Sequence, residues 1–73
     1  MIQKFSAVIE KDDHGCFAYC PELKGCHSQG DSIEEALANL REAMLLYLET
    51  LTPEEIQEHA SRDILTTWLE VAV

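Results

Sequence analysis

Residues 18–43 read AYCPELKGCHSQGDSIEEALANLREA, and most of the local signals that decide the fold lie in this stretch. Pro21 lacks an amide hydrogen and therefore favours a strand end or a sheet edge. Gly25 allows backbone conformations that a side chain resists. Ser32 and Glu35 have the spacing of a capping box, in which each side chain accepts a hydrogen bond from the other residue's amide. The stretch therefore predicts a strand end, a turn, a short strand and a capped helix.

The segment before this stretch predicts two further strands. Residues 2–10 alternate loosely between apolar and polar side chains, which is typical of a half-buried strand. Residues 11–15 are polar and end in glycine, which predicts a hairpin connection, and residues 16–20 resume the strand pattern. We expect the short third strand around residues 26–29. Three strands with such short connections predict an antiparallel meander.

The segment after this stretch predicts helices and a last strand. Apolar residues recur with helical spacing over residues 32–51, and Thr52 with Glu55 marks the start of a second helix that ends near Ala60. Residues 66–73 are rich in β-forming residues. The order β-β-β-α-(α)-β predicts an α+β fold with one long helix packed on one face of a four-stranded mixed sheet. The last strand follows a helical crossover, so we expect it to lie parallel to its neighbour.

The central stretch resembles the HicB-like antitoxin family. The resemblance rests on an ordered pattern, A-x-x-P-E-L-x-G-C-x-x-Q-G-D-[ST]-x-E-E-A-x-x-N-x-x-E-A. The matching residues are Ala18, Pro21, Glu22, Leu23, Gly25, Cys26, Gln29, Gly30, Asp31, Ser32, Glu34, Glu35, Ala36, Asn39, Glu42 and Ala43. The resemblance implies a single domain over residues 1–73, with a truncated ribonuclease-H-like layout and the last strand beside the first.

The resemblance also implies a function. It points to a non-catalytic protein-binding module, the antitoxin of a type II toxin–antitoxin pair, which masks a small basic HicA-like ribonuclease toxin by direct binding. Many family members continue into a segment that binds operator DNA, and residues 1–73 leave no room for one, so we expect no DNA binding by this chain alone. Two other classes remain, a stand-alone structural or regulatory homo-oligomer without a toxin partner and a degenerate or ligand-binding relative of an enzyme.

The charge of the chain excludes one class of direct partner. The formal net charge is −9, from 14 acidic and 5 basic residues, which is the wrong sign for binding nucleic acid. An acidic surface serves solubility or docks a basic protein. The acidic residues that we expect to face such a partner are Asp12, Asp13, Asp31, Glu34, Glu54, Glu55 and Glu58.

The small size of the chain predicts self-association. A domain of 73 residues buries only about 60% of its unfolded surface and is marginal alone. We therefore expect a homodimer or a higher even oligomer. Trp68 belongs to the core or to an interface, and its face of the predicted last strand also carries Glu70. Because that face is half polar, we favour the interface.

Neither the start of the chain nor its cysteines indicate secretion or chemistry. The chain does not open like a signal peptide, no apolar run approaches the ~20 residues of a membrane span, and three cysteines cannot all pair. We therefore expect a cytoplasmic protein.

Cys16 and Cys20 lie roughly 13 Å apart along a strand, too far to share a metal ion. Cys26 and His27 would point to opposite sheet faces. We expect no catalytic residue, no cofactor and no metal ion. A metal-dependent nuclease needs several carboxylates that converge on its ions, and Glu10 lies only at the end of the predicted first strand.

Overall fold

The described part of the chain, residues 2–73 of a computed structural model, contains three strands followed by two helices. The elements are β1 (Val8–Asp12), β2 (Gly15–Tyr19), β3 (His27–Gly30), α1 (Ile33–Leu48) and α2 (Pro53–Ala60). The strands lie in the order β1-β2-β3, and both neighbouring pairs are antiparallel. The structure therefore confirms the α+β class and the predicted meander.

The central strand divides the sheet into a covered face and an open face. Cys16 and Ala18 are buried, whereas Phe17 and Tyr19 on the opposite face are exposed. Helix α1 covers β2 and β3 on the side of Cys16 and Ala18. The core consists of small and medium-sized side chains, namely Cys16, Ala18, Cys20, Leu23, Cys26, Ala36 and Leu40. The open face has no helix over it within residues 2–73.

Helix α1 and strand β3 are in unusually close contact. A Cβ atom on Gly30 would lie 2.7 Å from the backbone nitrogen of Ala36, so a side chain at this position requires a backbone shift. Nearby, the Ser28 hydroxyl donates to the Ala36 carbonyl at 2.7 Å. The Asn39 side-chain amide donates to the carbonyl of Gln29 at 2.9 Å. Glycine and these two side chains together set the distance between the helix and the sheet.

Both helices begin with a hydroxyl cap. The Ser32 hydroxyl accepts from the Glu35 amide at 3.1 Å. The returning bond of the predicted box is different, since the Glu35 carboxylate accepts from the amide of Asp31 at 3.3 Å and not from Ser32. At α2 the box is complete, with Thr52 and Glu55 each accepting from the other's amide at 3.2 and 2.9 Å. The prediction was therefore fully right for α2 and half right for α1.

The prediction of a fourth strand, and with it a mixed sheet, was wrong for this chain. Residues 62–73, which we call the C-terminal arm, form neither helix nor strand, and no backbone group of the arm pairs with backbone elsewhere in the described chain. β-Propensity identifies a segment that suits an extended conformation, but a strand also needs a neighbour for its amides and carbonyls. The sheet therefore has three strands, and α2 is a second helix in addition to the predicted long helix, α1.

The first strand also begins later than predicted. Residues 2–7, which we call the N-terminal segment, precede β1 and lie outside any strand. Val8 pairs with Tyr19 at the end of β2, and the chain then turns at Pro21, so β2 offers no residues opposite the N-terminal segment. Without a neighbouring strand, an alternating sequence alone does not produce a ladder of hydrogen bonds.

Candidate functional site

The turn that carries the Pro-Glu-Leu sequence closes on itself through backbone hydrogen bonds. The Cys20 amide donates to the Cys26 carbonyl at 3.1 Å, and the Cys26 amide donates to the Leu23 carbonyl at 3.0 Å. Leu23 is completely buried in the core. Gly25 has a φ of +89°, a conformation that side chains disfavour. The turn is therefore closed by its own hydrogen bonds and anchored in the core by Leu23.

Glu22 ties the N-terminal segment to this turn. Its carboxylate is only 4% exposed and accepts from the Ser6 amide at 2.9 Å. The Cys20 thiol donates to the same carboxylate at 3.7 Å. Burial raises the pKa of Glu22, but the hydrogen bonds, chiefly from Ser6, outweigh burial and the net pKa is lowered. Glu22 is therefore a charged internal anchor.

The residues of the family pattern divide between the core and the surface of the domain. Those with buried side chains are Ala18, Glu22, Leu23, Cys26 and Ala36. Pro21 and Gly30 are partly exposed, and Gly25 and Glu35 are exposed. Pattern residues are thus concentrated at the turn, at the contact of β3 with α1, and at the helix cap. The exposed members of the pattern include Asp31, Glu34 and Glu35.

The cysteines are packed as small apolar side chains. Cys16, Cys20 and Cys26 are all free thiols and all buried. Burial raises the pKa of Cys20 and of Cys26, which favours the protonated thiol over the reactive thiolate. Among residues 2–73, no group of three histidine, cysteine, aspartate or glutamate side chains is placed to hold a metal ion.

Two of the three expected acidic clusters lie at the same end of the sheet. The register pairs Asp12 with Gly15, and Cys16 with Gly30, so the β1–β2 turn and the start of α1 are adjacent. We call this surface the acidic end. Its acids are Asp12, Asp13, Asp31, Glu34 and Glu35, all exposed. The antiparallel pairing of strands thus joins two clusters that are 18 residues apart in sequence, counted from Asp13 to Asp31.

The third acidic cluster lies elsewhere. Glu54, Glu55 and Glu58 belong to α2, which follows the 16 residues of α1, a helix about 24 Å long. The Glu55 carboxylate accepts from the Thr52 amide, and this hydrogen bond lowers its pKa. The seven candidate acids therefore form two separate surfaces, one at the acidic end and one on α2.

An apolar groove is the feature that the sequence analysis missed. It runs between the N-terminal segment and α1, with α2 at one end, and encloses about 1020 Å³. The side chains that line it are Ile2, Gln3, Phe5, Ala7, Leu37, Ala38, Leu40, Arg41, Met44, Leu45, Leu48 and Ile56. One signal was present in the sequence: residues 43–48 are apolar without interruption, more than a single buried helix face can use.

The two residues predicted at an oligomer interface lie on the C-terminal arm. Trp68 is 96% exposed, and Glu70 is exposed as well. The arm is attached to the domain at its beginning, where the Arg62 guanidinium donates to the Pro21 carbonyl at 3.4 Å.

Neither helix within residues 2–73 combines the length and the apolar composition that a bilayer span requires.

Comparison with known proteins identifies the family. The family described as "HicB_like antitoxin of bacterial toxin-antitoxin system" matches residues 5–71. A UPF0150 protein of Helicobacter pylori is 48% identical over 67 residues, which cover 92% of this chain and 93% of that protein. A UPF0150 protein of Synechocystis sp. is 44% identical over 73 residues, covering 99% and 91%. No solved structure matches this chain. The match confirms the resemblance of the central stretch, and the chain belongs to the HicB-like antitoxin family.

Proposed function

We propose that this chain is a non-catalytic antitoxin that binds a small basic ribonuclease toxin of the HicA-like kind in the cytoplasm and masks it directly. The observation that carries the proposal is the family match over residues 5–71, which spans all the strands and helices. An antitoxin implies a toxin as its partner. A ribonuclease must present cationic surface to RNA, so an acidic protein can compete for that face.

The acidic end supports this proposal electrostatically. Five carboxylates lie there on exposed turn and cap positions, in a chain whose formal net charge is −9. Opposed fields accelerate encounter between two proteins, whereas apolar contacts hold the complex afterwards. The rate of association should therefore depend on salt more strongly than the rate of dissociation.

The side chains with nucleophilic potential support a non-catalytic role. Cys26 is buried with a raised pKa, while its neighbour His27 is exposed on the next position of β3. The Cys26 side chain lies in the core and the His27 side chain at the surface, so the two do not form a nucleophile–base pair. The clustered carboxylates are exposed rather than gathered in a cleft, in contrast to the convergent acids of a two-metal nuclease.

The test is the association rate of this chain with the small basic protein of the neighbouring gene, measured by stopped-flow or surface plasmon resonance. Asp13→Asn with Glu34→Gln removes two charges from the acidic end, and neither side chain makes a hydrogen bond within residues 2–73. The matched control, Glu54→Gln with Glu58→Gln, removes two charges from α2. We expect the first pair to slow association severalfold and the control to have a smaller effect. Absence of any complex, or association that ignores salt, would contradict the proposal.

The exposed C-terminal arm favours a second candidate, a stand-alone structural or regulatory homo-oligomer without a toxin partner. Association would cover its exposed apolar side chains, and another copy of the same chain can provide the covering surface. The two candidates differ in genomic context. A neighbouring reading frame for a small, lysine- and arginine-rich protein with a catalytic histidine favours the antitoxin, and its absence favours the oligomer.

A further inference from the structure

From Leu65 onward the C-terminal arm is exposed, and its backbone makes no hydrogen bond to other backbone within residues 2–73. Its exposed apolar side chains are Leu65, Trp68, Leu69, Val71 and Val73. Residues 65, 67, 69, 71 and 73 fall on one face of an extended chain, and four of them are leucine or valine. This alternation is typical of a strand that buries one face, yet in the structure the apolar side chains of this face are exposed to solvent.

The accessible surface and the radius of gyration are both larger than those expected for a compact monomer of this size. The accessible surface is 6190 Å², whereas a folded monomer of 8.3 kDa exposes about 4600 Å². The radius of gyration is 14.0 Å, compared with about 11 Å for a compact chain of this length. The excess area is about twice the roughly 800 Å² that each partner buries in an interface of standard size.

The groove between the N-terminal segment and α1 has the features that such a strand requires. Its walls are mainly apolar, and Leu45 within it is 57% exposed. The N-terminal segment makes no backbone–backbone hydrogen bond in the described chain. The Ser6 amide donates to the Glu22 carboxylate, and this hydrogen bond holds the N-terminal segment in place. The groove therefore offers apolar contacts on one side and unpaired backbone on the other.

We propose that the C-terminal arm of one protomer docks in this groove on a second copy, with its backbone beside the N-terminal segment, and that the exchange is reciprocal. The predicted fourth strand is then formed between chains instead of within one. Each protomer contributes one arm and one groove, so the contact repeats about a two-fold axis and closes as a dimer. The inference rests on the arm and the groove and does not depend on the proposed function.

The attachment of the arm explains why a second copy is needed. Arg62 holds the beginning of the arm at the Pro21 turn, and the arm then leaves the domain, with every side chain from Leu65 to Val73 exposed. The groove of the same protomer stays open. An arm from a second copy fills the groove and covers the arm at the same time.

The test uses sedimentation velocity on the full chain over a range of concentrations. Leu45→Arg places a charge in the groove, and Leu46→Arg places the same charge on the adjacent residue of α1, which is 62% exposed and does not line the groove. We expect the wild type and Leu46→Arg to dimerise. We expect Leu45→Arg to raise the dissociation constant of the dimer by about tenfold or more. Leu45 and Leu46 are both exposed, so circular dichroism should show unchanged folding.

Mixing two variants tests whether the arm docks between chains. Leu69→Arg damages the arm, and Leu45→Arg damages the groove, so neither variant should form a stable dimer alone. In an equimolar mixture, the intact arm of the Leu45→Arg chain can dock in the intact groove of the Leu69→Arg chain. We expect a heterodimer with one restored contact.

Three outcomes would overturn the proposal. A wild type that stays monomeric at high micromolar concentration contradicts the exchange. An equal effect of Leu45→Arg and Leu46→Arg places the interface outside the groove. A mixture of the Leu45→Arg and Leu69→Arg variants that shows no heterodimer indicates an arm that docks on its own protomer or on a different protein.

Discussion

Glu22 holds a negative charge inside a domain of 73 residues, and its hydrogen bonds give it a structural role. An internal carboxylate is costly unless donors compensate for the lost water. The Ser6 amide and the Cys20 thiol are these donors. Because Ser6 lies between Phe5 and Ala7, which line the groove, Glu22 links the turn to the surface that we assign to the second copy.

The lowered pKa of Glu22 predicts a loss of stability in acid. A carboxyl group whose pKa is lower in the folded state stabilises the fold fully above its unfolded pKa, near 4.5, and this stabilisation is lost as pH falls through the folded pKa. Chemical denaturation between about pH 7 and pH 3 measures this loss. We expect Glu22→Gln to be less stable at pH 7 and less dependent on pH, whereas the control Glu42→Gln, at an exposed position of α1, keeps the wild-type slope. Parallel curves for Glu22→Gln and the wild type would contradict the role of Glu22.

The close contact at Gly30 predicts the effect of a single methyl group. In Gly30→Ala the new Cβ would meet the Ala36 nitrogen at 2.7 Å and the Glu35 Cβ at 2.9 Å. Backbone atoms cannot rotate away, so α1 must move off β3. We expect a loss of about 1–3 kcal/mol of unfolding free energy in urea denaturation. A variant as stable as the wild type would show that the helix can shift without cost.

At the scale of elements, the two helices differ in how much they contribute to the core. Helix α1 buries Ala36 and Leu40, whereas α2 has no buried residue. The cap of α2 is nevertheless the more complete, because both bonds of its box form. A strong cap on a helix without buried side chains supports local structure more than the global fold.

This difference predicts unequal effects of removing the two caps. Ser32→Ala should cost about 1 kcal/mol of unfolding free energy and lower the melting temperature by roughly 4–8 °C. Thr52→Ala should lower the global melting temperature less, since α2 can fray while the core stays intact. Thermal denaturation followed by circular dichroism compares the two. An equal or larger effect of Thr52→Ala would mean that α2 unfolds together with the core.

At the scale of the whole molecule, one charge distribution should produce two opposite salt effects. Two copies that each carry a net charge of −9 repel each other, while an acidic chain attracts a basic partner. Raising the salt from about 0.05 to 0.5 M screens both interactions. We expect the proposed homodimer to become tighter and association with the proposed basic toxin to become slower, as measured by sedimentation and stopped-flow. If both interactions weaken with salt, electrostatic repulsion does not oppose the dimer.

Local signals in the sequence were sufficient for the three-stranded meander, for the starts of both helices and for the family. The spacing of Ser32 and Glu35 marked the start of α1, because a cap involves residues three or four apart. The Pro-Glu-Leu pattern and the residues after it indicated the family that the comparison confirms. The short connections between strands predicted the meander, since they leave little choice of partner.

Contacts between distant residues were decided by the tertiary structure alone. Nothing near Glu22 in the sequence indicates that its partner is the amide of Ser6, 16 residues earlier. The two acidic clusters meet because strand register brings them to one end of the sheet. The composition of residues 66–73 predicted a strand, but the structure has neither strand nor helix there. A strand exists only where a second backbone lies beside it, and propensity, which belongs to one segment, cannot specify where that backbone is.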